Sequence, residues 1–409
     1  MSTQEQVATL NQNSTWFGAD ITRLSEEGDW TDLLAGQPIF VEQNDIDQMA
    51  KLISTISSLA ENSEYQKEVF ALHPWLKSAE SVTRGALFGY DFHLTSDGPK
   101  LVEVNTNAGG ILFNQKLEQV QRSCCKYAKS LMMSPVDAGK SVEEKIISMF
   151  KHEFSSLRKD KALKTIAILD NDPEAQFLFP EFEMFQRLFE VAGIRAFIVD
   201  PSNLAYDGES IFYEESKIDL IYNRHTDFYL ENKSMAQVKT AYLDRNVVLT
   251  PNPRNYALMA DKRRLSMWSD QAFLESIDMP TASRDQLLGH VPKSVLVTRK
   301  NSKALWGDRK RWFFKPVVGY GSKAVYKGAK LTRKTWGYIE ASESYIAQEF
   351  ITPSTRVFDH LGQAQTYKVD IRNYVYDDEP ILLSARLFQG QATNMRTPGG
   401  GFATVYRAP

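Results

Sequence analysis

The sequence is poor in cysteine, which limits the cross-links and sites it can form. Its only two cysteines, Cys124 and Cys125, are adjacent in a stretch with helical character. Neighbouring positions on a helix rarely form a disulfide bond with each other, and free thiols suit a reducing compartment. The six histidines are scattered and do not combine with the cysteines into a zinc-binding pattern. We therefore expect neither a disulfide framework nor a structural zinc site.

The sequence also lacks long apolar runs and a strong excess of one charge. No uninterrupted apolar run is long enough to span a bilayer, and residues 1–13 are polar, unlike the apolar core of a signal peptide. The formal net charge is −3, which indicates neither a nucleic-acid-binding protein nor a polybasic membrane anchor. We expect a cytoplasmic protein without nucleic-acid or membrane partners.

What the sequence does contain is typical of a globular protein with several subdomains. Of its 409 residues, 43% are hydrophobic and 24% are charged, and this length exceeds a single ordinary core. In the first part of the chain, apolar residues recur at helical spacing over Ile46–Leu59, which predicts a packed helix.

The most informative stretch comprises residues 367–405. It predicts two apolar-rich strands, Val369–Tyr376 and Ile381–Phe388, joined by an acidic turn at Asp377 and Asp378. A loop rich in hydrogen-bond donors and glycine follows the second strand. Such a hairpin can carry a site on the face that its charged residues share.

Three arginines and a run of glycines suit this stretch to anions. Alternation puts Asp370 and Arg372 on one face of the first strand, Arg386 lies late in the second, and Arg396 lies in the loop. Arginine binds phosphate or carboxylate through two parallel hydrogen bonds, and glycine lets backbone N–H groups approach an anion. The alternative is a charged hairpin with a flexible glycine tail. The loop ends in Gly399, Gly400 and Gly401.

A second hairpin carries candidate metal ligands. The sequence predicts strands at Ala86–Leu94 and Lys100–Asn105, which would place Asp91, Glu103 and Asn105 on one face. Two carboxylates and an amide form an oxygen-rich set suited to Mg²⁺. Taken alone, E-x-N is a weak motif that more often marks an exposed strand. The Thr-Asn-Ala-Gly-Gly segment that follows directly favours a site.

The middle of the chain predicts a βαβ unit. A buried strand in TIAILDND is followed by a helix over Pro173–Ala192 and by the strand IRAFIVD, and a further strand lies in KIDLIYNRH. Ligands in open α/β sheets collect at the carboxyl ends of the strands. Each residue there could equally cap a helix or hydrogen-bond a loop. The candidate ligands are Asn171, Glu174, Gln176, Asn223 and Arg224.

The last third of the chain predicts a flap over phosphates. A strand ends at Lys315 and Pro316, a loop contains Gly319 and Gly321, and another strand begins near Lys323. Glycines between two antiparallel strands leave backbone N–H groups free to cover phosphates, and Lys315 adds a positive charge. This is not a Walker A motif, because no G-K-[ST] precedes a helix.

Taken together, these segments resemble the ATP-grasp superfamily and, within it, the glutathione synthetases. The motifs run in the order Asp261-Lys262, T-A-S-R, F-F-K-P-x-x-G-x-G, I-A-Q-E-F, D-I-R, A-R-L-F-Q-G and N-M-R-T-P-G-G-G. In the bacterial enzymes the metal-binding Asp and E-x-N follow the glycine-rich loop, whereas here GYDFHL and LVEVNTN lie upstream. Eukaryotic-type glutathione synthetases and glutathionylspermidine synthetases have a similar, circularly permuted order. The resemblance covers about 300 residues from Gly85 onward, and its motifs are specific only in combination.

The resemblance implies an α/β fold, of the α+β ATP-grasp type. The fold it implies is a circularly permuted ATP-grasp fold with an inserted βαβ, Rossmann-like substrate-binding domain. Residues 1–160 would form a helical region plus the permuted metal-binding hairpin. Residues 161–255 would form the substrate-binding domain, and residues 256–409 the ATP-grasp lobes.

The resemblance also implies roles around ATP and Mg²⁺. Lys262 and Lys315 would contact the phosphates, and Asp91, Glu103 and Asn105 would hold Mg²⁺. In eukaryotic-type enzymes a metal-binding glutamate stands where this chain has Gly319, so Asp91 would have to compensate. The flap would comprise Gly319, Gly321, Ser322 and Lys323, and the adenine-binding hinge Gln348, Glu349, Phe350 and Ile351.

Further roles concern the reacting groups. Arg372 and Arg386 would stabilise the transferring phosphoryl group, and Arg396 would hold the carboxylate of the acceptor amine together with Gly399, Gly400 and Gly401. Asn107 would join the substrate residues of the βαβ segment, whose end, Y-N-R-H-T-D-F-Y, looks like that of the eukaryotic-type substrate-binding domain.

We therefore expect an ATP-dependent carboxylate–amine ligase that forms an amide through an acyl-phosphate. It would join an amino acid or small peptide to an amino acid, with ATP and Mg²⁺, and its relatives imply a homodimer. The absence of a Ser/His or Cys/His set agrees with catalysis by positioning and charge stabilisation. The alternatives are an ATP-grasp phosphotransferase and a non-catalytic nucleotide-binding protein. A decayed site should have lost the carboxylates and arginines that this chain retains.

Overall fold

The computed structural model describes residues 33–79, 82–124, 134–136, 139–319, 324–360, 363–393 and 397–408. Its strands are β1 Ile39–Val41, β2 Phe88–Thr95, β3 Gly98–Asn105, β4 Thr165–Leu169, β5 Arg195–Val199, β6 Leu204–Tyr206, β7 Ile211–Tyr213, β8 Ser216–Ile218, β9 Leu220–Asn223, β10 Val248–Thr250, β11 Ser294–Leu296, β12 Trp312–Pro316, β13 Tyr326–Lys327, β14 Tyr345–Glu349, β15 Ser354–His360, β16 Gln363–Tyr376, β17 Glu379–Phe388 and β18 Gly401–Arg407. Its α-helices of six or more residues are α1 Gln43–Ala60, α2 Ser63–Phe70, α3 Ile111–Cys124, α4 Val142–Leu157, α5 Phe179–Val191, α6 Ala236–Leu243, α7 Arg263–Trp268, α8 Gln271–Ser276, α9 Thr281–His290, α10 Ser302–Gly307 and α11 Arg333–Ser342.

The largest sheet has seven strands in the order β1-β18-β17-β16-β2-β3, with β15 also paired to β16. Both predicted hairpins are confirmed. Three of their strands begin earlier than predicted, whereas the strand predicted over Ala86–Leu94 is shifted and runs over Phe88–Thr95. The antiparallel register places Arg372 opposite Asp91, and Asp370 opposite Arg386. The upstream hairpin therefore lies beside strands nearly 300 residues later in the chain.

The βαβ unit is confirmed in the middle of the chain. Strands β10, β9, β4 and β5 form a parallel sheet in that order. Helix α5 packs on it through Phe182, Phe185 and Phe189, and the ring of Phe185 lies 5.2 Å from that of Tyr222 on β9. A small antiparallel sheet of β6, β7 and β8 is an addition that the sequence did not predict.

Residues 291–349 form a small lobe with its own core. Its antiparallel sheet has the order β11-β14-β12-β13, and α10 and α11 pack on it. The core comprises Val297, Leu305, Trp312, Phe314, Leu331, Trp336, Ile339, Tyr345 and Ala347.

Helix predictions held for long periodic segments and failed at local breaks. Helix α1 buries Ile46 and Leu59 on the predicted face. The helix predicted over Pro173–Ala192 begins only at Phe179, after a short 3₁₀ turn. Residues 263–276 likewise form two helices, α7 and α8, because the Asp270 side chain accepts hydrogen bonds from the amides of Ala272 and Phe273 and starts α8 anew. Among the described helices, none has the length and apolarity needed to cross a bilayer.

Candidate active site

A cleft opens between the large sheet and the small lobe, and the empty space in it, open solvent included, is about 810 Å³. Its walls come from β2, β3, β16 and β17 on one side and from β12 and β14 on the other. It brings together nine residues that the sequence placed in the site, namely Asp91, Glu103, Lys262, Lys315, Gly319, Gln348, Phe350, Ile351 and Arg386.

Asp91 is the centre of the charge network at the floor of this cleft. Arg372 donates to both of its carboxylate oxygens at 2.7 Å, and Arg386 Nη2 lies 2.8 Å from Oδ2. The Asp91 side chain is fully buried, and burial alone would raise its pKa. The two guanidinium groups reverse that effect and lower the pKa of Asp91 to about 2. Asp91 is therefore ionised at neutral pH, and it fixes the direction of both arginines.

Asp370 links Arg386 to the loop after β17. Its Oδ1 accepts from Arg386 Nε at 2.6 Å, and its Oδ2 accepts from Thr393 Oγ1 at 2.6 Å. Thr393 also lines the cleft. The donor-rich loop is thus attached to an arginine of the site through one buried carboxylate. Arg396, Gly321, Ser322 and Lys323 lie outside the described residues.

The predicted metal ligands do lie together, but they are not equivalent. Asn105 Nδ2 donates to Asp91 Oδ2 at 3.1 Å and to Glu103 Oε1 at 3.4 Å. Glu103 faces the cleft with 28% of its side chain exposed, and Lys262 Nζ lies 3.8 Å from its Oε2. Within the described ranges, no three His, Cys, Asp or Glu side chains form a cluster that could hold a metal.

This donor set fits a magnesium ion that shares its coordination with phosphate. Mg²⁺ is usually held by one or two carboxylates, substrate phosphates and water. Glu103 and the Asn105 amide can supply oxygens, because the O and N of an amide exchange by a flip. Asp91 is the poorer ligand, since its oxygens already accept four hydrogen bonds or ion-pair contacts.

Two buried lysines, Lys262 and Lys315, line the cleft. Lys315 Nζ donates to the Val102 carbonyl at 2.9 Å and to Gln348 Oε1 at 2.7 Å. Burial, together with the positive charge of Lys262, lowers the pKa of Lys315 to about 8. Lys262 Nζ donates to the Gly319 carbonyl at 2.8 Å, so it holds the start of the flap. An ammonium group has three N–H donors, so beyond these hydrogen bonds Lys315 keeps one donor and Lys262 keeps two for an anion.

The predicted hinge is partly engaged by its own lobe. The amide of Glu349 donates to the Lys293 carbonyl at 2.7 Å, and the amide of Phe350 donates to the Arg311 carbonyl at 2.8 Å. The Ile351 carbonyl accepts from His93, whose Nδ1 lies 3.0 Å away. Because a carbonyl only accepts, His93 carries its proton on Nδ1, and burial lowers the pKa of its imidazolium form.

The sequence did not single out His93, although a signal existed. It follows Asp91 by two positions on β2, and alternation puts both side chains on one face of the sheet. The other lining residues that it did not place in the site are Val102, Phe313, Pro316, Val325, Pro353, Asp370, Phe388, Gln391, Ala392 and Thr393. Most of these are apolar or lie on loops, where one sequence carries no such signal.

The predicted substrate residues of the βαβ unit do not line this cleft. Asn171 and Glu174 are exposed on the loop after β4, and Gln176 Nε2 donates to the Asn171 carbonyl at 2.6 Å. Asn223 is buried, where its Nδ2 donates to the Pro251 carbonyl and its Oδ1 accepts from the His225 amide. These contacts are those of capped loops, and a role in substrate binding stays a prediction.

Arg224 is buried in an ion pair instead of facing open space. Its Nη2 lies 3.5 Å from Glu181 Oε2, and its Nη1 donates to the Ala108 carbonyl at 3.2 Å. Glu181 Oε1 in turn accepts from the Gly110 amide at 2.8 Å and from the Leu112 amide at 3.3 Å. The pair therefore clamps the segment that follows the E-x-N motif.

The same segment is held from the side of the large sheet. Tyr374 Oη donates to the Gly109 carbonyl at 2.7 Å, and Arg372 Nη1 donates to the same carbonyl at 3.5 Å. Asn107 Nδ2 donates to the His225 carbonyl at 2.7 Å. Residues 107–110 thus contact both the βαβ unit and Arg372, the arginine that donates two hydrogen bonds to Asp91.

Two of the predicted loop glycines are also required by packing. A Cβ on Gly400 would lie 2.4 Å from the Leu387 carbonyl oxygen. Gly401 has φ +116°, and a Cβ there would lie 2.2 Å from the Leu33 carbonyl oxygen. These positions need glycine whatever the loop binds, whereas Gly399 is exposed.

The fold is similar to that of a solved glutathione synthetase-like effector from Globodera pallida in its apo form. The TM-score is 0.57 at 12% sequence identity, over 92% of this chain and 90% of the effector. A candidate gamma-glutamylcysteine synthetase from Methylobacillus flagellatus KT matches with a TM-score of 0.47 at 11% identity, over 86% and 87% of the two chains. No family model matches this sequence, and no curated protein does.

Proposed function

From its ATP-grasp fold, shared with the glutathione synthetase-like effector, we propose that this protein is an ATP-dependent carboxylate–amine ligase. One observation carries the proposal. Lys262, Lys315 and Arg386 meet Glu103 in a single cleft between two lobes. Cations that converge beside an oxygen-rich metal set suit phosphoryl transfer, which depends on positioning and charge stabilisation.

The reaction we propose has two steps. A carboxylate oxygen of the first substrate attacks the γ-phosphorus of ATP, the bond to the β–γ bridging oxygen breaks, and ADP leaves. The amine nitrogen of the second substrate attacks the carbonyl carbon of the acyl-phosphate. The carbon–oxygen bond to phosphate then breaks, phosphate leaves, and the amine releases a proton as the amide forms.

The chain's own residues would act on charge and position. Lys315 and Lys262 would bind phosphate oxygens, and Arg386 would stabilise the charge on the transferring group. Arg372 is turned away from the cleft by its two bonds to Asp91, so its proposed role is to hold that carboxylate. Glu103 and Asn105 would hold Mg²⁺, which supplies further neutralisation of the phosphate charge.

The substrates we propose are an amino acid or small peptide as the carboxylate and an amino acid as the amine. The donor-rich loop supports this, because Asp370 and Thr393 anchor it beside Arg386. Arg396 and the glycines would face the carboxylate of the acceptor. Closure of this loop and of the flap would keep water from the acyl-phosphate.

The test is phosphate release from Mg-ATP over a matrix of amino acids and dipeptides, offered singly and in pairs. We expect release only with particular pairs, together with an amide product in the mass spectrum. Lys315→Met should reduce the rate by roughly 100-fold, because it removes a cation from the phosphates. Lys161→Met, at an exposed lysine outside the cleft, is the matched control and should retain full activity.

The other outcomes separate the alternatives. Release of ADP with one substrate and no amine would indicate a phosphotransferase. A protein that binds no Mg-ADP, or that loses activity equally in both lysine variants, would contradict the assignment of this cleft as the nucleotide site.

A further inference from the structure

The small lobe, residues 291–349, is strongly basic although the whole chain is slightly acidic. It holds 13 lysines and arginines against four aspartates and glutamates, a formal net charge of +9. The other 350 residues therefore carry −12 within a total of −3. The small net charge of the whole chain is the sum of two large charges of opposite sign, so it does not reveal the strong positive charge of this lobe.

Several of these basic residues, with Arg309 and Arg333 at their centre, form one surface, because separate segments of the lobe meet at the Trp306 ring. Arg309 and Arg333 lie 4.3 Å and 4.2 Å from the centre of the Trp306 ring, which brings the end of α10 against the start of α11. Gly328 packs so closely on the Arg309 carbonyl that a Cβ would lie 1.8 Å from its oxygen. Lys303, on the same short helix as Trp306, extends this surface.

Most of this charge is exposed and not paired. Arg299 pairs with Glu343 at 3.3 Å, and Arg311 pairs with Glu349 at 3.1 Å. In the described part of the chain, Lys300, Lys303 and Lys310 are exposed and have no carboxylate within ion-pair distance. A surface with such an excess of positive charge costs folding free energy through self-repulsion, and an acidic ligand would relieve it.

We propose that this basic surface is a docking site for an acidic polypeptide segment. Among the described aromatic side chains of the lobe, Trp312 and Trp336 are buried and Trp306 lies under two arginines, which leaves Tyr338 as the one that is largely exposed. Single-stranded nucleic acid stacks successive bases on several aromatic side chains, so one exposed ring is a poor match for it. A long polyanion would also extend over the acidic remainder of the molecule. A short run of glutamates and aspartates matches the size of the lobe and the sign of its charge.

The surface reaches the edge of the nucleotide cleft. Lys327 Nζ lies 3.9 Å from the ring centre of Phe350, and Phe350 lines the cleft. A docked segment would therefore lie beside the cleft without entering it. The inference concerns binding only, so it stands or falls independently of the proposed ligase activity.

The test is fluorescence anisotropy with a labelled poly-L-glutamate of about 20 residues at about 50 mM salt, measured first without Mg-ADP and then after its addition. We expect binding that weakens as salt is raised. Lys300→Glu/Lys303→Glu/Lys310→Glu should weaken it by roughly tenfold or more. Lys159→Glu/Lys161→Glu/Lys164→Glu makes the same charge change at exposed lysines elsewhere and should stay within about twofold of the wild type. If the variant with three glutamates does not fold, the variant with glutamine at the same three positions replaces it. Its affinity for the peptide should also fall, by less than with glutamate.

Four results would overturn the proposal. They are no binding to the peptide, equal losses in the two triple variants, loss of binding when Mg-ADP is added, and tighter binding to a single-stranded RNA of similar length. The last result would assign the surface to nucleic acid.

Discussion

At the scale of single residues, Asp91 and Glu103 look alike in sequence but differ in their surroundings. Asp91 is fully buried between two guanidinium groups, whereas Glu103 is part-exposed and faces the cleft. Removing one member of a buried charge network leaves its partners without compensation, which is far more costly than removing an exposed charge. The two acids should therefore respond differently to the loss of their charge.

Asp91→Asn should lower the free energy of unfolding of the ligand-free protein by about 3–5 kcal/mol, because Arg372 and Arg386 lose their buried counter-charge. Chemical denaturation measures this. The matched variant Glu103→Gln should change stability by less than about 1 kcal/mol and should instead raise the Mg²⁺ concentration needed for activity. If the Asp91→Asn protein is as stable as the wild type but needs more Mg²⁺, the main role of Asp91 is to bind the metal and not to hold the two arginines.

The pKa of Asp91 sets the pH range of this contribution. Because its pKa is about 2 in the folded protein, below the value near 4 of an unfolded chain, it adds stability above about pH 4. That stability should be lost as the pH falls from about 4 to about 2, and the loss should be smaller in Asp91→Asn.

Lys315 should give the pH dependence of nucleotide use. Its pKa of about 8 means that the ammonium is mostly charged at neutral pH and loses its proton as the pH rises through 8. We expect kcat/KM for ATP to fall above about pH 8, since this ratio reports the free enzyme. Lys315→Arg keeps its charge at that pH, so the fall should vanish even if the overall rate drops. An unchanged break near pH 8 would assign it to another group.

At the scale of elements, the segment 107–110 connects two parts of the molecule. The Glu181–Arg224 pair holds it from helix α5 and strand β9, while Tyr374 and Arg372 hold it from β16. A movement of the βαβ unit would therefore displace Arg372 as well, because both are hydrogen-bonded to the backbone of segment 107–110.

Glu181→Ala should destabilise the protein by about 3–5 kcal/mol, because it leaves Arg224 buried without a counter-charge. Hydrogen exchange should accelerate at the amides of Gly110 and Leu112, which lose their acceptor. Glu190→Ala, at an exposed position of the same helix, should change neither quantity. Slow exchange at both amides in Glu181→Ala would show that other contacts fix the segment.

The local elements of this site could be predicted from the sequence, and its long-range partners could not. The alternation of side chains along a strand is a local property, so it correctly placed Asp370 with Arg372 and brought Asp91, Glu103 and Asn105 together. The partner of Arg224 lies 43 positions earlier on another element, and nothing local marks Glu181 as buried. Asp270 is a local signal of the other kind, because aspartate is a preferred helix N-cap and here it starts α8.

At the scale of the whole molecule, the candidate site exists only where distant segments meet. Lys315 Nζ bonds the Val102 carbonyl across 213 positions of sequence, and this contact links the small lobe to the large sheet. A nucleotide between them would contact both and should stabilise both.

We expect Mg-ADP at 100 times its Kd to raise the free energy of unfolding by about 2.7 kcal/mol. Hydrogen exchange should slow in β12 and β14 as well as in β2 and β3. Lys315→Met should lose both effects, and Lys161→Met neither. Protection confined to one side in the wild type would place the nucleotide on a single lobe and contradict a site built between the two.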